Sequence, residues 1–573
     1  MESLKKIAKL GLIILVLNQE NLAQVRLPIP DTLSGDTIYL NLNNGHQTFI
    51  PGITTNTMGA NGDILGPTLI LRKGELVHMF VKNNLGEPTT IHWHGLHVAS
   101  ENDGGPHTPI GEGETWSPSF TVLDHAATFW YHPHLHHKTN EHVSKGIAGM
   151  IIVRDDNEGK LPLPRTYGID DIPLILQTKE IDAQGQITTH TNQDRLLLVN
   201  GAQNTEIDLP AQWVRFRVLN GSSQRSFFLG FDDNRPFYQI ASDAALLNMP
   251  VEMSRLLISP GERAEIMVNF DNDFGQQRKI KSFASELPNG IYGARFPGMG
   301  QGMTINGYNP NSLNGSDFDL LAINVINPIS GNITKLPQTL NNLERYRTIE
   351  TDTSRNFTFM PEQMGPNQLN GHFMINNLIF DMDYINEIVP LNNTEVWNLN
   401  NQSGIAHPFH LHNVPFYIVD RNGILPPANE MGLKDVVLVR PGERVRIITK
   451  FTDFSDSPVP YMYHCHLLSH EDDGMMGQFL VVSRTTGINL EAVGSPSELD
   501  IFPNPAEHLI NFVSKSDVKG GSILIRNNNG QLVHKGICQE NWLDIRYLEN
   551  GVYYLEILTN KGERFVNKFV VAK

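Results

Sequence analysis

Five His-x-His pairs stand out in the chain: His92/His94, His132/His134, His134/His136, His410/His412 and His464/His466. With 22 histidines in 573 residues, random placement gives roughly one such pair, and metal is the usual reason for clustered imidazoles. Residues two apart on a strand face the same side, so each pair offers two imidazoles together. Four pairs make eight ligands, more than a single tetrahedral or octahedral ion accepts, so several ions must share them. In His464-Cys465-His466 the same alternation sends the thiol away from its two neighbours, and the cysteine and the histidines then serve different metals. His470 and Met475 follow, with Gly474 allowing a turn before the methionine. His407 lies three residues before His410, on the side of Cys465 by strand parity, although Pro408 disturbs strict strand geometry there.

Two histidines, a thiolate and a weak thioether describe a blue-copper electron-transfer site, here His407, Cys465, His470 and Met475. His92, His94, His132, His134, His410, His412, His464 and His466 then form a second, all-nitrogen centre with room for three coppers. Cys465 is covalently joined to His464 and His466, a short path for electrons between the centres. His134/His136 has the same spacing as His132/His134 and is an alternative on these grounds. Isolated histidines such as His78, His190 and His372 read as surface or hydrogen-bonded core residues.

Elements that could hold such a constellation are strands. Alternation recurs at Ile38, Leu40 and Leu42, at Val77, Met79 and Val81, and at Val214, Phe216 and Val218 with Arg215 and Arg217 between them; Gly, Pro and Asn punctuate the runs, the pattern of an all-β sandwich protein. Pro260-Gly261-Glu262-Arg263 with the strand-like run after it reappears as Pro441-Gly442-Glu443-Arg444, and Gly113-Glu114 before Trp116 is a weaker third copy. Val214 to Val218 corresponds to Glu395 to Leu399 at the same offset. Whole domains are therefore repeated, predicted at residues 25–165, 166–312 and 313–485. A linker is expected at 486–500 and a small β-domain at 501–573, with a hairpin turn at Asn529-Gly530.

The chain is 40% hydrophobic and 18% charged, as folded globular proteins are. A net charge of -17 excludes nucleic acid as a partner, because phosphate binding needs basic patches. Lys5, Lys6 and Lys9 precede the apolar run Leu10 to Leu17, with Ala23 near a cleavage point; residues 1–24 are expected to be a secretory signal. The run is too short to span a bilayer, and no other segment reads as transmembrane. Only Cys465 and Cys538 are present. With Cys465 on a metal no disulfide forms between them, and stability rests on the cores.

The four ordered motifs His92-Trp93-His94-Gly95, Trp130-Tyr131-His132-Pro133-His134, His407-Pro408-Phe409-His410-Leu411-His412 and His464-Cys465-His466-Leu467-Leu468-Ser469-His470 resemble those of the multicopper oxidases, over about residues 30–485. The resemblance implies three cupredoxin-like Greek-key β-sandwich domains, with a three-copper cluster between the first and third. It implies four copper ions: one type 1, one type 2 on His92 and His410, and two type 3, on His94, His132 and His466 and on His134, His412 and His464. It favours His132/His134 over His134/His136. Asp103 and Glu471 would handle protons, although each alone reads as easily as a turn residue or a surface charge. The partners implied are dioxygen and a small reducing substrate: a phenol, an aromatic amine or Cu(I). Met299, Met303, Met360, Met364 and Met374 are scattered rather than gathered in a methionine-rich insert, which favours a laccase-like enzyme over a cuprous oxidase. A copper-binding protein without turnover is the reading from another class. Phe502-Pro503-Asn504-Pro505 and Gly551 to Leu555 resemble the sorting domains of type IX secretion, implying a secreted or cell-surface protein (alternatively periplasmic); a carbohydrate- or protein-binding module is the alternative for this unit.

Overall fold

The computed structural model describes residues 24–189, 191, 193–296, 311–331, 333–362, 371–483, 499–514, 516–527, 531–560 and 564–573. The signal expected at 1–24 (Gln24 apart), His190, Met299, Met303, Met364, the turn Asn529-Gly530 and most of the expected linker lie outside these residues. No described helix is long and apolar enough to cross a membrane. The protein divides into two compact units, the first ending in sequence at Ser483.

The larger unit contains three two-sheet β-sandwiches. In the first, a sheet ordered Thr32–Ser34, Thr68–Arg72, Gly149–Arg154, Ala127–His132, His92–His94 faces one built on Thr37–Ile50 and Leu76–Asn84, and Ile38, Leu40, Leu42, Val77, Met79 and Val81 fill the core between them. The third pairs a sheet ordered Glu387–Pro390, Met476–Val482, Tyr461–Cys465, His407–Leu411, Val436–Val439 with one built on Thr394–Asn401 and Arg444–Lys450. Pro408 does not break its strand, because His407 to His410 stay in register with Val439 to Val436. The second sandwich lies between these two in sequence. Strand Phe318–Ile326, assigned by the expected boundary at 312/313 to the third domain, pairs with Thr205–Pro210 and Gln277–Ser282 of the second. Val25–Arg26 also joins that sheet. The second sandwich therefore extends to about Ile326 and borrows the first strand.

One local device recurs three times. Gly113, Gly261 and Gly442 adopt φ of +72°, +83° and +69°, a left-handed turn that costs glycine little. The glutamate after each accepts a hydrogen bond from the N–H three residues back: Gly111 to Glu114, Ser259 to Glu262 and Arg440 to Glu443. Asn83, Asn220 and Asn401 complete it, each side-chain amide donating to two or more backbone carbonyls across the turn, Ile110, Ile258 and Val439 among them. The repeated sequence thus encodes a closed polar latch at one end of each sandwich.

Arg215 and Arg217, on the face away from the Val214/Phe216/Val218 core, are 1% and 0% exposed. The first sandwich covers them. Arg215 donates to Glu158 (2.7 Å) and Glu265, and Arg217 to Asp171 (2.7 Å), Glu265 and Thr128. Burial alone would raise the Glu158 carboxyl, but the Arg215 and Arg154 guanidiniums hold it at about 2. A depressed carboxyl contributes stability that is complete above its unfolded value of about 4.5 and is lost as pH falls through about 2. Glu158→Gln is expected to cost about 3 kcal/mol at neutral pH, since it leaves Arg215 short of a partner, and to flatten the fall in melting temperature between pH 4.5 and 2. Calorimetry across that range checks both.

The smaller unit is a separate β-sandwich. Leu499–Phe502, Leu509–Ser514 and Trp542–Asp544 form one sheet, and Leu532–Ile537, Ser522–Asn527, Gly551–Leu558 and Arg564–Val571 the other. Ile510, Phe512, Ile523, Leu555 and Phe569 lie in its core.

Candidate metal centre

His92/His94, His132/His134, His410/His412 and His464/His466 each begin on a strand, where pairing aligns them. His92 stands opposite His132 and His94 opposite Trp130; His410 stands opposite His464, and Phe409 opposite Cys465. Two of the four histidine-bearing strands, Ala127–His132 and Tyr461–Cys465, carry a tyrosine beside a ligand. Tyr131 and Tyr463 each pack against a glycine of the next strand, Gly149 and Gly477, where a Cβ would collide with the ring. Gly477→Ala is expected to displace His464 and destabilise the third sandwich by 1–3 kcal/mol, the usual range for overpacking, read as a lower melting temperature together with reduced copper uptake.

The structure brings the candidate ligands into two buried groups. In one, His407, Cys465 and His470 present ligand atoms within 4.8 Å of one another. The Cys465 sulfur is 3.4 Å from His407 Nδ1 and 3.8 Å from His470 Nδ1. Met475 is fully buried in the same core, and Phe373 packs at 4.8 Å and 4.4 Å from the two imidazoles. In the other group, His92, His94 and His410 come together, as do His94, His132 and His466, and His134, His412 and His464. His136 is outside both; it stacks on His137 at 3.7 Å and meets Phe380 edge-on.

The hydrogen bonds specify what these rings can bind. His92 Nδ1 is bonded to Asp103 O, His132 Nδ1 to Pro133 O and His410 Nδ1 to Asp435 O. His412 Nδ1 meets the Asp103 carboxylate at 2.7 Å, His464 Nδ1 is hydrogen-bonded to Cys465 O at 3.1 Å, and the Glu471 carboxylate lies at ion-pair distance, 3.1 Å and 3.2 Å, from His464 Nδ1 and His134 Nδ1. Carbonyls and carboxylates only accept, so each Nδ1 carries the proton and each Nε2 is a bare lone pair. Yet His464 Nε2 lies 3.2 Å from His134 Nε2 and 3.3 Å from His412 Nε2. His92 Nε2, His410 Nε2 and both nitrogens of His466 have no hydrogen-bond partner. Facing lone pairs in a buried interior are satisfied by a cation, and neutral imidazoles are the donor set that copper takes.

Electrostatics agree. Burial, reinforced by neighbouring imidazoles, pushes His94, His132, His410 and His466 well below the usual histidine value and His412 to about 3. Burial raises the Cys465 thiol, so a thiolate forms there when a soft metal displaces the proton. Asp103 and Glu471, which burial alone would raise, are instead held down by the histidines, Glu471 to about 2.

Sequence reasoning missed Asp435, which touches His94 Nε2 at 3.2 Å, and Ser403, whose hydroxyl is 2.7 Å from His407 Nε2. Ser403 had a signal: Asn401-Gln402-Ser403 repeats Asn220-Gly221-Ser222 at the domain offset. Asp435 had none.

Residues 41–158 and 346–485 match family profiles described as multicopper oxidase. A multicopper oxidase of Staphylococcus epidermidis is 31% identical over 448 residues, 77% of this chain and 87% of that protein. This chain belongs to the multicopper oxidase family. Multicopper oxidases are copper-dependent oxidoreductases with dioxygen as acceptor, which is the chemistry of the donor set above. The laccase-like multicopper oxidase CueO of Ochrobactrum is 33% identical with a TM-score of 0.70, over 80% of this chain and 100% of that one. McoA of Aquifex aeolicus is 29% identical with a TM-score of 0.70 and the same coverage. A Photorhabdus laumondii protein named cell division protein FtsP is 30% identical over 80% of this chain and 93% of its own. Residues 500–572 match the secretion system C-terminal sorting domain.

Proposed function

We propose that this multicopper oxidase is laccase-like: it takes single electrons from a phenol or aromatic amine and delivers them to dioxygen, forming water. The carrying observation is that all twelve ligand-type residues are retained: eleven gather in two buried groups joined through the backbone of Cys465, and Met475 is buried in the core that holds Cys465. His407, Cys465, His470 and Met475 would hold a type 1 copper, and His92 and His410 a type 2 copper. His94, His132 and His466 would hold one type 3 copper, and His134, His412 and His464 the other. Copper bound in these two groups supplies reversible one-electron chemistry. Phe373 and the core around Met475 keep water from the Cys465 sulfur, and Ser403 fixes the orientation of His407. Forming water from dioxygen consumes one proton per electron, and Asp103 Oδ2, at His412 Nδ1, and the Glu471 carboxylate, at His134 and His464, are the carboxylates placed to relay them from solvent. The sorting domain supports export, and we place the working protein outside the cell or on its surface.

Oxygen uptake by the copper-loaded protein, with a diphenol and separately with cuprous ion, tests this. Faster uptake with the diphenol is expected. Turnover with cuprous ion alone would make the protein a cuprous oxidase. Turnover with neither would place it with copper-binding proteins that do not oxidise, a class that similarity to a protein named for cell division requires the test to include.

A further inference from the structure

The second sandwich contributes no copper ligand in the reading above, yet its repeated turn reaches the all-imidazole group. Gly261 lies so close to His466 that a methyl there would stand 2.8 Å from the ring's Cδ2. Two residues on, Arg263 is 1% exposed. Its guanidinium donates to Thr128 O of the first sandwich (3.0 Å), to Gly261 O and Asp243 O of its own, and to both carboxylate oxygens of Asp435 in the third. Asp435 Oδ1 is also 3.2 Å from His94 Nε2. A carboxylate held by a two-pronged guanidinium is an acceptor, so the proton of His94 sits on Nε2 and the bare nitrogen is Nδ1. That nitrogen faces His132 Nε2 at 3.3 Å. His94 is thus reversed relative to His92, His132, His134, His410, His412 and His464, which all turn Nε2 inward.

Two further features show that the space is built for the pair. Gly95, directly after His94, has φ +89°, and a Cβ there would collide with the Asp435 carboxylate and stand 2.8 Å from the Arg263 guanidinium. In the homologous turn of the third sandwich, Arg444 is exposed and its backbone N–H bonds to Asn422. The same motif therefore carries a solvent-facing arginine in one copy and a buried one, aimed at the metal-binding histidines, in the other.

We propose that Arg263 and Asp435 are positioning residues for the second copper centre: through Asp435 they fix His94 in the reversed tautomer, with Nδ1 presented to the ion that it shares with His132 and His466. The proposal rests on the metal-centre reading above. Outer hydrogen bonds of this kind set ligand orientation and tautomer, and their loss costs about 10–100-fold in metal affinity.

The test uses the full chain loaded with copper and challenged with a competing chelator, reading copper per chain, the blue absorption at Cys465 and the paramagnetic resonance spectrum. Asp435→Ala is expected to hold copper at the imidazole centre about 10–100-fold more weakly and to change its spectrum, while the blue absorption stays. Asp435→Asn, which still accepts from His94 Nε2, is expected to restore most of that retention, and Arg444→Met to match the unaltered protein. If Asp435→Ala gives no blue protein, Arg263→Lys decides, because it keeps the charge but offers one donor nitrogen in place of a fork; selective copper loss is again expected. Copper retention and spectrum equal to the unaltered protein in blue, folded Asp435→Ala or Arg263→Lys would overturn the proposal and leave an ordinary buried ion pair. An unaltered protein that takes up no copper would instead overturn the metal-centre reading, before any variant is compared.

Discussion

Cys465→Ser is expected to give a colourless protein that still binds copper at its imidazole centre, with oxidation of every reducing substrate falling to the detection limit. The sulfur is the only soft anionic donor in its group, with His407 and His470 at 3.4 Å and 3.8 Å, and the blue absorption of such sites belongs to the copper–thiolate bond. A hydroxyl in the same place is too weak an acid to replace it. The eight imidazoles lie on the face that Cys465 does not share, and the Nδ1 anchors of His92, His132 and His410 on backbone carbonyls and of His412 on Asp103 are untouched. The measurement is the visible spectrum beside copper per chain. Unchanged colour would show that the thiolate is assigned to the wrong site.

Glu471→Gln is expected to leave colour and copper content near normal and to slow oxygen consumption by about 10–100-fold, the usual effect of removing a group that orients metal ligands. The carboxylate bridges His134 and His464, residues from different sandwiches, at 3.2 Å and 3.1 Å. An amide keeps a polar oxygen at that distance from the imidazoles but cannot relay a proton. The loss is therefore expected in turnover rather than in half-saturation by the reducing substrate, and in a larger rate difference between ordinary and heavy water. Asp103→Asn acts in the same direction from the other side, where the carboxylate meets His412 at 2.7 Å. A variant that consumes oxygen at the normal rate would remove Glu471 from the proton path.

The ligand-type residues were legible because their spacing is itself geometry: a two-residue period on a strand selects a face, and His464-Cys465-His466 announces two faces at once. The three sandwiches were legible from the Pro-Gly-Glu-Arg repeat, whose structural content is the left-handed glycine and the glutamate that closes the turn. What escaped depends on contacts between domains. Nothing along the chain links Asp435 to Arg263, 172 residues away, or distinguishes the buried Arg215 and Arg217 from the solvent-facing charges that alternation suggests. Strand Phe318–Ile326 escaped for a related reason: it enters the second sheet by parallel pairing with a strand more than a hundred residues earlier, and local pattern gives no hint of its partner.

Cys465 and Cys538, each 1% exposed, sit in separate hydrophobic interiors. In an oxidising medium neither thiol meets the other or a dissolved oxidant while the fold is closed, so no covalent staple forms and none is needed to protect the sulfur. Endurance outside a cell would then be a matter of how rarely each interior opens, a rate rather than an equilibrium.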